Sequence, residues 1–325
     1  LMGAALAMEG RDLPAGEHYL QEAAASHRHT GDSAGLCADL FDLGNVAAQR
    51  GDLVHALEFY QEAGQAAEAG HIPYFLALAH NNFAYHSLLL GQLEAAQQAM
   101  KQGLRVAETH EIIGALLHLY STQGEILLYL AEWTEATKWF ERGLSLAEEL
   151  GNLERQAGYR AGLALCAHGK QDLIGATALL EEARSLIADQ GYWHLQTRIF
   201  LWIGEIWLLR GQIDHAWQHL ENALNIARTQ GRALLILQGE RLQAQLLAAG
   251  NDWSEAQIVF ARALDQATAL NLPLEIARSQ AAWGVAIMRR SPLDHEAHAL
   301  LAAARAAFLQ RNARADLQRM DATSH

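Results

Sequence analysis

Two histidines, His215 and His219, stand four residues apart in Ile213-Asp214-His215-Ala216-Trp217-Gln218-His219. On a helix this spacing puts both imidazoles on one face, as in a zinc-protease helix. The glutamate that such a helix places between its histidines is missing, and no cysteine stands near. His295 and His298 offer no better ligand set, and His27-Arg28-His29 reads as a solvated loop. No metal is expected. Phosphate chemistry would need Gly-x-x-x-x-Gly-Lys-Ser/Thr, whose backbone N–H groups wrap the phosphates. The nearest string, Gly169-Lys170-Gln171, lacks both the hydroxyl and the first glycine. No Gly-x-Ser-x-Gly elbow for a nucleophilic serine occurs. The chain is expected to be non-enzymatic, with no catalytic residue and no cofactor.

Recognition is the chemistry that remains. Arg198, Arg241 and Arg278 are guanidiniums that can grip a carboxylate or phosphate through forked hydrogen bonds. Asn45 and Asn81 are amides, each with a donor and an acceptor to offer a bound backbone. A bland alternative for the arginines is pairing with Glu205, Glu240 and Glu275. Trp193, Trp202, Trp207 and Trp217 crowd one stretch. Trp202 and Ile203 are adjacent and must point apart, so part of this cluster leaves the core face.

The elements that position these residues follow from a repeat. Leu13, Leu53, Leu93, Trp133, Leu173, Ile213, Trp253 and Leu293 are each 40 residues from the next, as in 53 − 13 = 40. Seven residues after these markers stand Leu20, Tyr60, Met100, Phe140, Leu180, Leu220, Phe260 and Leu300. Ten after come only Ala or Gly, from Ala23 to Ala303. Offsets of 0, 3, 7 and 10 make one helical face. Nine residues before each marker is another Gly or Ala, in the order Ala4, Gly44, Ala84, Gly124, Ala164, Gly204, Ala244 and Gly284. This is a second helix, with a small residue where two helices cross closely. Gln123, Gln243, His80, Arg160 and Glu240 break its apolar pattern and read as weaker packing or exposed sites. Turns such as Arg50-Gly51-Asp52 and Gly250-Asn251-Asp252 supply a left-handed C-cap and then an N-cap. The fold class is all-α, an α-solenoid forming a right-handed superhelix of about eight helical hairpins, one array across residues 1–325.

The period places the recognition residues. In stacked hairpins the first helix of each pair lines the concave side. Three of its registers vary while the core registers hold. One runs Asn45, Tyr85, Glu125, Leu165, Glu205, Gln245; the next includes Asn81, Ser121 and Arg241; the third includes Arg198 and Arg278. The predicted ligand groove is therefore Asn45, Asn81, Tyr85, Ser121, Glu125, Arg198, Glu205, Arg241, Gln245 and Arg278. Its expected occupant is a peptide, a protein segment or a small effector.

Composition narrows the partners further. A net charge of −13 argues against direct contact with nucleic acid. No apolar run approaches the ~20 residues that span a bilayer. Cys37 and Cys166 lie in different repeats and fit small core sites, a usage suited to a reducing cytoplasm.

A small residue in the first helix, a Gly-polar-aliphatic turn, then Ala, an aromatic or Leu, and Ala in the second helix is similar to the tetratricopeptide repeat (TPR). The usual unit has 34 residues, and here both helices are longer. The long unit, with segments such as Leu43-Gly44-Asn45 and Ala147-Glu148-Glu149-Leu150-Gly151-Asn152, resembles the MalT-like sensor arrays of bacterial ATP-dependent transcription regulators. The stretch Leu301 to Leu317 resembles the closing helices of such arrays, and of arrays in cyclase-ATPase fusions. The resemblance implies a sensor module at the C-terminal part of a larger cytoplasmic signalling protein, with upstream domains of the same polypeptide as partners. Two other roles fit the same repeats: a structural scaffold for homo- or hetero-assembly, and an appendage of a cyclase-ATPase. Leu1 begins inside the pattern, so the natural chain is expected to extend toward the N-terminus.

Overall fold

The computed structural model describes residues 13–188 and 190–323. Sixteen α-helices fill them: α1 (Leu13–Thr30), α2 (Ser33–Gln49), α3 (Leu53–Ala69), α4 (Pro73–Leu89), α5 (Leu93–Thr109), α6 (Ile113–Tyr129), α7 (Trp133–Glu149) and α8 (Leu153–Gly169). They continue as α9 (Leu173–Leu186), α10 (Trp193–Leu209), α11 (Ile213–Thr229), α12 (Ala233–Ala249), α13 (Trp253–Ala269), α14 (Pro273–Arg290), α15 (His295–Gln310) and α16 (Arg314–Thr323). Even-numbered helices are the first helices of the hairpins, and the odd-numbered ones from α1 to α13 begin at the markers. The chain is an all-α solenoid of TPR-like hairpins.

The turns are set by backbone conformation. Gly31, Gly51, His71, Gly91, Glu111, Ala131, Gly151, Gln171, Gly191, Gly211, Gly231, Asn251 and Asn271 all have positive φ. They recur every 20 residues (51 − 31 = 20), so both kinds of turn share one geometry. Each ends a helix with a left-handed residue. Side chains of Asp32, Asp52, Asn152, Asp172 and Asp252 then cap the next helix. Pro73 and Pro273 take the first helical position where no side-chain cap forms.

The period slips once. Ser291 is extended at φ −141, and Pro292 cannot continue a helix. The marker Leu293 lies before α15 and is 86% exposed, contrary to the core role expected of it. Asp294 caps α15 instead, through bonds to the backbone of Glu296 and Ala297. Ala297, Ala304 and Phe308 are buried in place of a face built on Leu300 and Ala303. The next left-handed residue is accordingly Asn312, one position late.

Contacts divide the chain into two units, Leu1–Gln123 with Thr229–Ala233, and Gly124–Arg228 with Leu234–His325. In the first, Leu20, Ala24, Leu40, Leu43, Val46, Ala63 and Ala79 form one buried cluster. In the second, Ala157, Ala161, Ala164, Ala176, Leu180, Ala183 and Ile203 form another, and Phe260 stacks on Trp283 with centroids 5.9 Å apart. The small first-helix residues make room for marker-helix side chains. A Cβ on Gly44 would lie 2.5 Å from the Tyr60 ring, and one on Gly124 would overlap the Phe140 ring. At Gly204 and Gly284 a backbone carbonyl is close as well, Ala216 O at 3.4 Å and Ala297 O at 3.2 Å. Ring insertion, more than backbone crossing, thus explains the glycines at 44 and 124.

Glu240 is not an exposed site. Its carboxylate is buried and held by Arg262 Nε at 3.2 Å and Arg228 at 3.8 Å. His27 closes α1 rather than lying in a loop, and its Nδ1 meets Asp39 at 2.6 Å. Cys37 and Cys166 are free and buried, and burial pushes the Cys166 thiol up to about 11. Among the described residues, no helix is long and apolar enough to cross a membrane.

Candidate recognition faces on the first helices

Several first helices touch each other through polar side chains in or beside the registers singled out above. In the first unit the contact is a ladder of neutral polar groups. Tyr60 Oη donates to Asn45 Oδ1 at 2.8 Å, and Asn82 Nδ2 donates to the same oxygen at 3.3 Å. Asn81 Nδ2 donates to Asn82 Oδ1 at 3.0 Å, and Thr122 Oγ1 donates to Asn81 Oδ1 at 2.9 Å. The ladder joins α2, α4 and α6. Asn81 is buried, Asn82 half-buried and Asn45 exposed, so the rungs run from core to surface. Each amide NH2 has two hydrogens, and Asn81 and Asn82 each spend one on the ladder. Tyr85 stands edge-on to His86 at 5.0 Å, and His86 stacks on Tyr60 at 5.1 Å. Burial drives the His86 imidazole down to about 4, although its Nδ1–H donates to the Asn82 carbonyl. Ser121 is half-buried and stays outside the ladder, which takes its neighbour Thr122 instead.

In the second unit the same registers carry charge. Arg198 of α10 meets Glu125 of α6 at 3.3 Å and lies over the Trp202 ring at 4.6 Å. Further along, Glu275 near the start of α14 accepts from Arg241 and Gln238 of α12 and from Arg278, the last at 2.7 Å. Asp316, near the start of α16, accepts from Arg278 by a two-pronged fork, Nε to Oδ1 at 3.0 Å and Nη2 to Oδ2 at 2.9 Å. Arg319 adds a third bond to Asp316 at 2.9 Å. Burial alone would raise both carboxyls, but the guanidiniums outweigh it. Arg241 and Arg278 hold Glu275 near 2, and Arg278 and Arg319 hold Asp316 near 2. Glu205 faces the same arginines without a direct pair, and burial raises its carboxyl. Gln245, one turn beyond Arg241, joins neither cluster.

The sequence-predicted groove residues therefore fall into two sets. Asn45 and Asn81 are brought together in the first unit, with Tyr85 beside them through His86. Arg241 and Arg278 are brought together in the second, with Glu205 near them, and Arg198 with Glu125 forms a separate pair there. The alternative pairing of the arginines holds for Glu275 but not for Glu205 or Glu240. Glu240 is taken by arginines of the marker helices α11 and α13, and Arg198 finds Glu125, 73 residues earlier. Asn82, Thr122 and Asp316 were not foreseen. Asn82 stands beside a residue in a watched register. Asp316 is legible only after the one-residue slip, which makes it the counterpart of Glu275 (275 + 41 = 316), the third residue of its helix.

Among the described residues, no group of three metal-ligating side chains converges. No family model matches the chain, and no curated protein matches it in sequence. Similar solved structures exist at low identity. The Rap conjugation gene regulator of plasmid pLS20 in complex with the Phr* peptide has a TM-score of 0.69 at 15% identity, over 92% of this chain and 79% of that one. A Rap protein complexed with competence and sporulation factor gives 0.67 at 12%, over 88% and 76%. The Pyrococcus horikoshii signal transduction ATPase with numerous domains, which carries a tetratricopeptide repeat sensor, gives 0.57 at 14%, over 97% of this chain and 52% of that one. At these identities the likeness is one of fold, and the fold it establishes is the all-helical TPR-like repeat.

Proposed function

We propose that this chain is a non-enzymatic binding module that takes a peptide or protein segment along its first-helix faces. The amide ladder Asn45–Asn82–Asn81–Thr122 carries this reading. Amides on α2 and α4, continued by the Thr122 hydroxyl on α6, offer donors and acceptors of the kind that pair with a peptide backbone. Two of the similar structures are complexes, one with a peptide and one with a factor, and a third protein carries a tetratricopeptide repeat sensor. These likenesses support a sensor role. The finer proposal, from the sequence resemblance, is a sensor array of a bacterial transcription regulator of the MalT-like kind. Binding would act on the rest of such a protein only if the ligand prefers one arrangement of the repeats.

The test is thermal melting of the chain against a synthetic peptide pool, beside the Asn45→Ala/Asn81→Ala variant. A ligand present at about 100 times its Kd stabilises by about 2.7 kcal/mol, a readable rise in Tm. A rise that the variant loses supports the module. A rise the variant keeps, or none with any pool, sinks the amide-ladder reading.

A structural scaffold is the second reading, and one observation favours it. Arginines in the predicted groove registers of the second unit already hold internal carboxylates. Self-association in sedimentation without any peptide effect would decide for it.

A further inference from the structure

The amide ladder of the first unit has a direction. Thr122 donates to Asn81, Asn81 to Asn82, and Asn82 to Asn45, so the donors run from α6 through α4 to α2. Tyr60 donates to the same Asn45 oxygen. With that oxygen filled, the Asn45 NH2 is left to reach Asp42, one turn earlier on α2. Asp42 belongs to the ladder by register, as the counterpart of Asn82 and Thr122 (42 + 40 = 82, 82 + 40 = 122). The run of donors therefore ends on the one member that carries a charge, and bonds aimed at one end polarise each other in the same sense. No cation among the described residues pairs with that end. His27 and Arg28 of α1 and Arg50 after α2 each hold another acid: Asp39 at 2.6 Å, Glu62 and Glu17. Asp42 is half-buried. Burial first, and the charge of Asp39 second, push its carboxyl above the ordinary range against the pull of Asn45. Such a carboxylate costs the free fold stability, as groups held ready for binding commonly do.

We propose that Asp42 is the cation-reading end of the ladder, taking an amino or guanidinium group of a peptide whose backbone lies along Asn45, Asn82, Asn81 and Thr122. This rests on the reading of the ladder as the peptide site, and adds charge and direction to it. The positive group of the peptide lies over α2, and the rest of the peptide runs toward α6. A free α-amino terminus and a Lys or Arg side chain share this chemistry, since each brings charged N–H donors to a carboxylate.

The experiment melts the full chain with three synthetic heptapeptide pools. One has a free amino terminus and no Lys or Arg. The second is acetylated with Arg at the first position, and the third is acetylated with citrulline there, which keeps the shape of Arg without its charge. At least one charged pool should raise the Tm of the wild type well beyond the citrulline pool. A response to the first pool assigns the α-amino group, and a response to the second assigns the side chain. In Asp42→Asn the peptide concentration that gives half the shift should rise about tenfold or more, the scale of a lost hydrogen bond to a charged group. Without peptide, Asp42→Asn should melt at or above the wild type, because it removes a charge that nothing compensates. A merely structural Asp42 would make that variant melt lower. Equal responses to the charged and citrulline pools, a charged-pool response that Asp42→Asn keeps in full, or a lower Tm of the unliganded variant would each overturn the proposal. Asn45→Ala/Asn81→Ala separates the two readings. If it loses the peptides while Asp42→Asn keeps them, the ladder stands and the role of Asp42 falls; if no pool shifts the wild type, both fall.

Discussion

Replacing Glu275 by Gln keeps shape and removes charge at the centre of the second unit's cluster. Two routes give the size of the effect. The carboxyl titrates near 2 in the folded chain against an ordinary 4.5. That difference corresponds to about 3 kcal/mol of stability at neutral pH. Independently, breaking a buried ion pair by removing one partner costs about 3–5 kcal/mol, because the other charge is left buried. The two agree, and the first also fixes the pH dependence. A depressed carboxyl stabilises above its unfolded value and loses that contribution as pH falls through its folded value. The wild type should therefore exceed Glu275→Gln by about 3 kcal/mol at pH 7, and the gap should close between about pH 4.5 and 2. Urea melts followed by Trp fluorescence over that range measure the gap directly. Asp316 titrates in the same window in both proteins and cancels to first order in the difference. A gap below about 1 kcal/mol at pH 7, or one that persists unchanged at pH 2, would refute the account of the cluster.

Other consequences can be checked by the same melts. A Cβ on Gly143 would meet the buried Tyr159 ring, with Oη at 2.5 Å, so Gly143→Ala should destabilise by about 1–3 kcal/mol despite its better helix propensity. At Gly64 the nearest atom is Ala79 Cβ at 3.6 Å, and Gly64→Ala should instead stabilise by about 0.5–1 kcal/mol. His86, held neutral near 4, should cost the first unit stability as pH falls from 6.5 toward 4. The loss approaches about 3 kcal/mol, and His86→Gln should flatten that part of the curve.

Much of this fold was legible from spacing alone, because the solenoid repeats its physics as well as its residues. Leu53, Trp133 and Trp253 each begin a helix where the period puts them. The turn rule was readable at Gly51 and Asn251. It was not readable at Ala131 or Glu111, which take positive φ although neither residue type favours it. The slip at Pro292 was hidden because Leu293, Leu300 and Ala303 continue the pattern in residue type; only the cap at Asp294 decides the helix start. Arg241 and Arg278 were found by register, yet their partners were only partly so. Ion pairs between first helices depend on side-chain reach across 34 to 38 residues, which a single register does not show. Asn82 was missed for the reason that Asn81 was found: a helix face is wider than one position.

The claim that a ligand lies along the first-helix faces is tested most directly by hydrogen–deuterium exchange with the first peptide that raises the Tm. The account predicts slowed exchange in α2, α4 and α6 around Asn45, Asn81 and Thr122, with the marker helices α3 and α5 unchanged. Protection confined to α3 and α5, or spread evenly over both sets of helices, would contradict it.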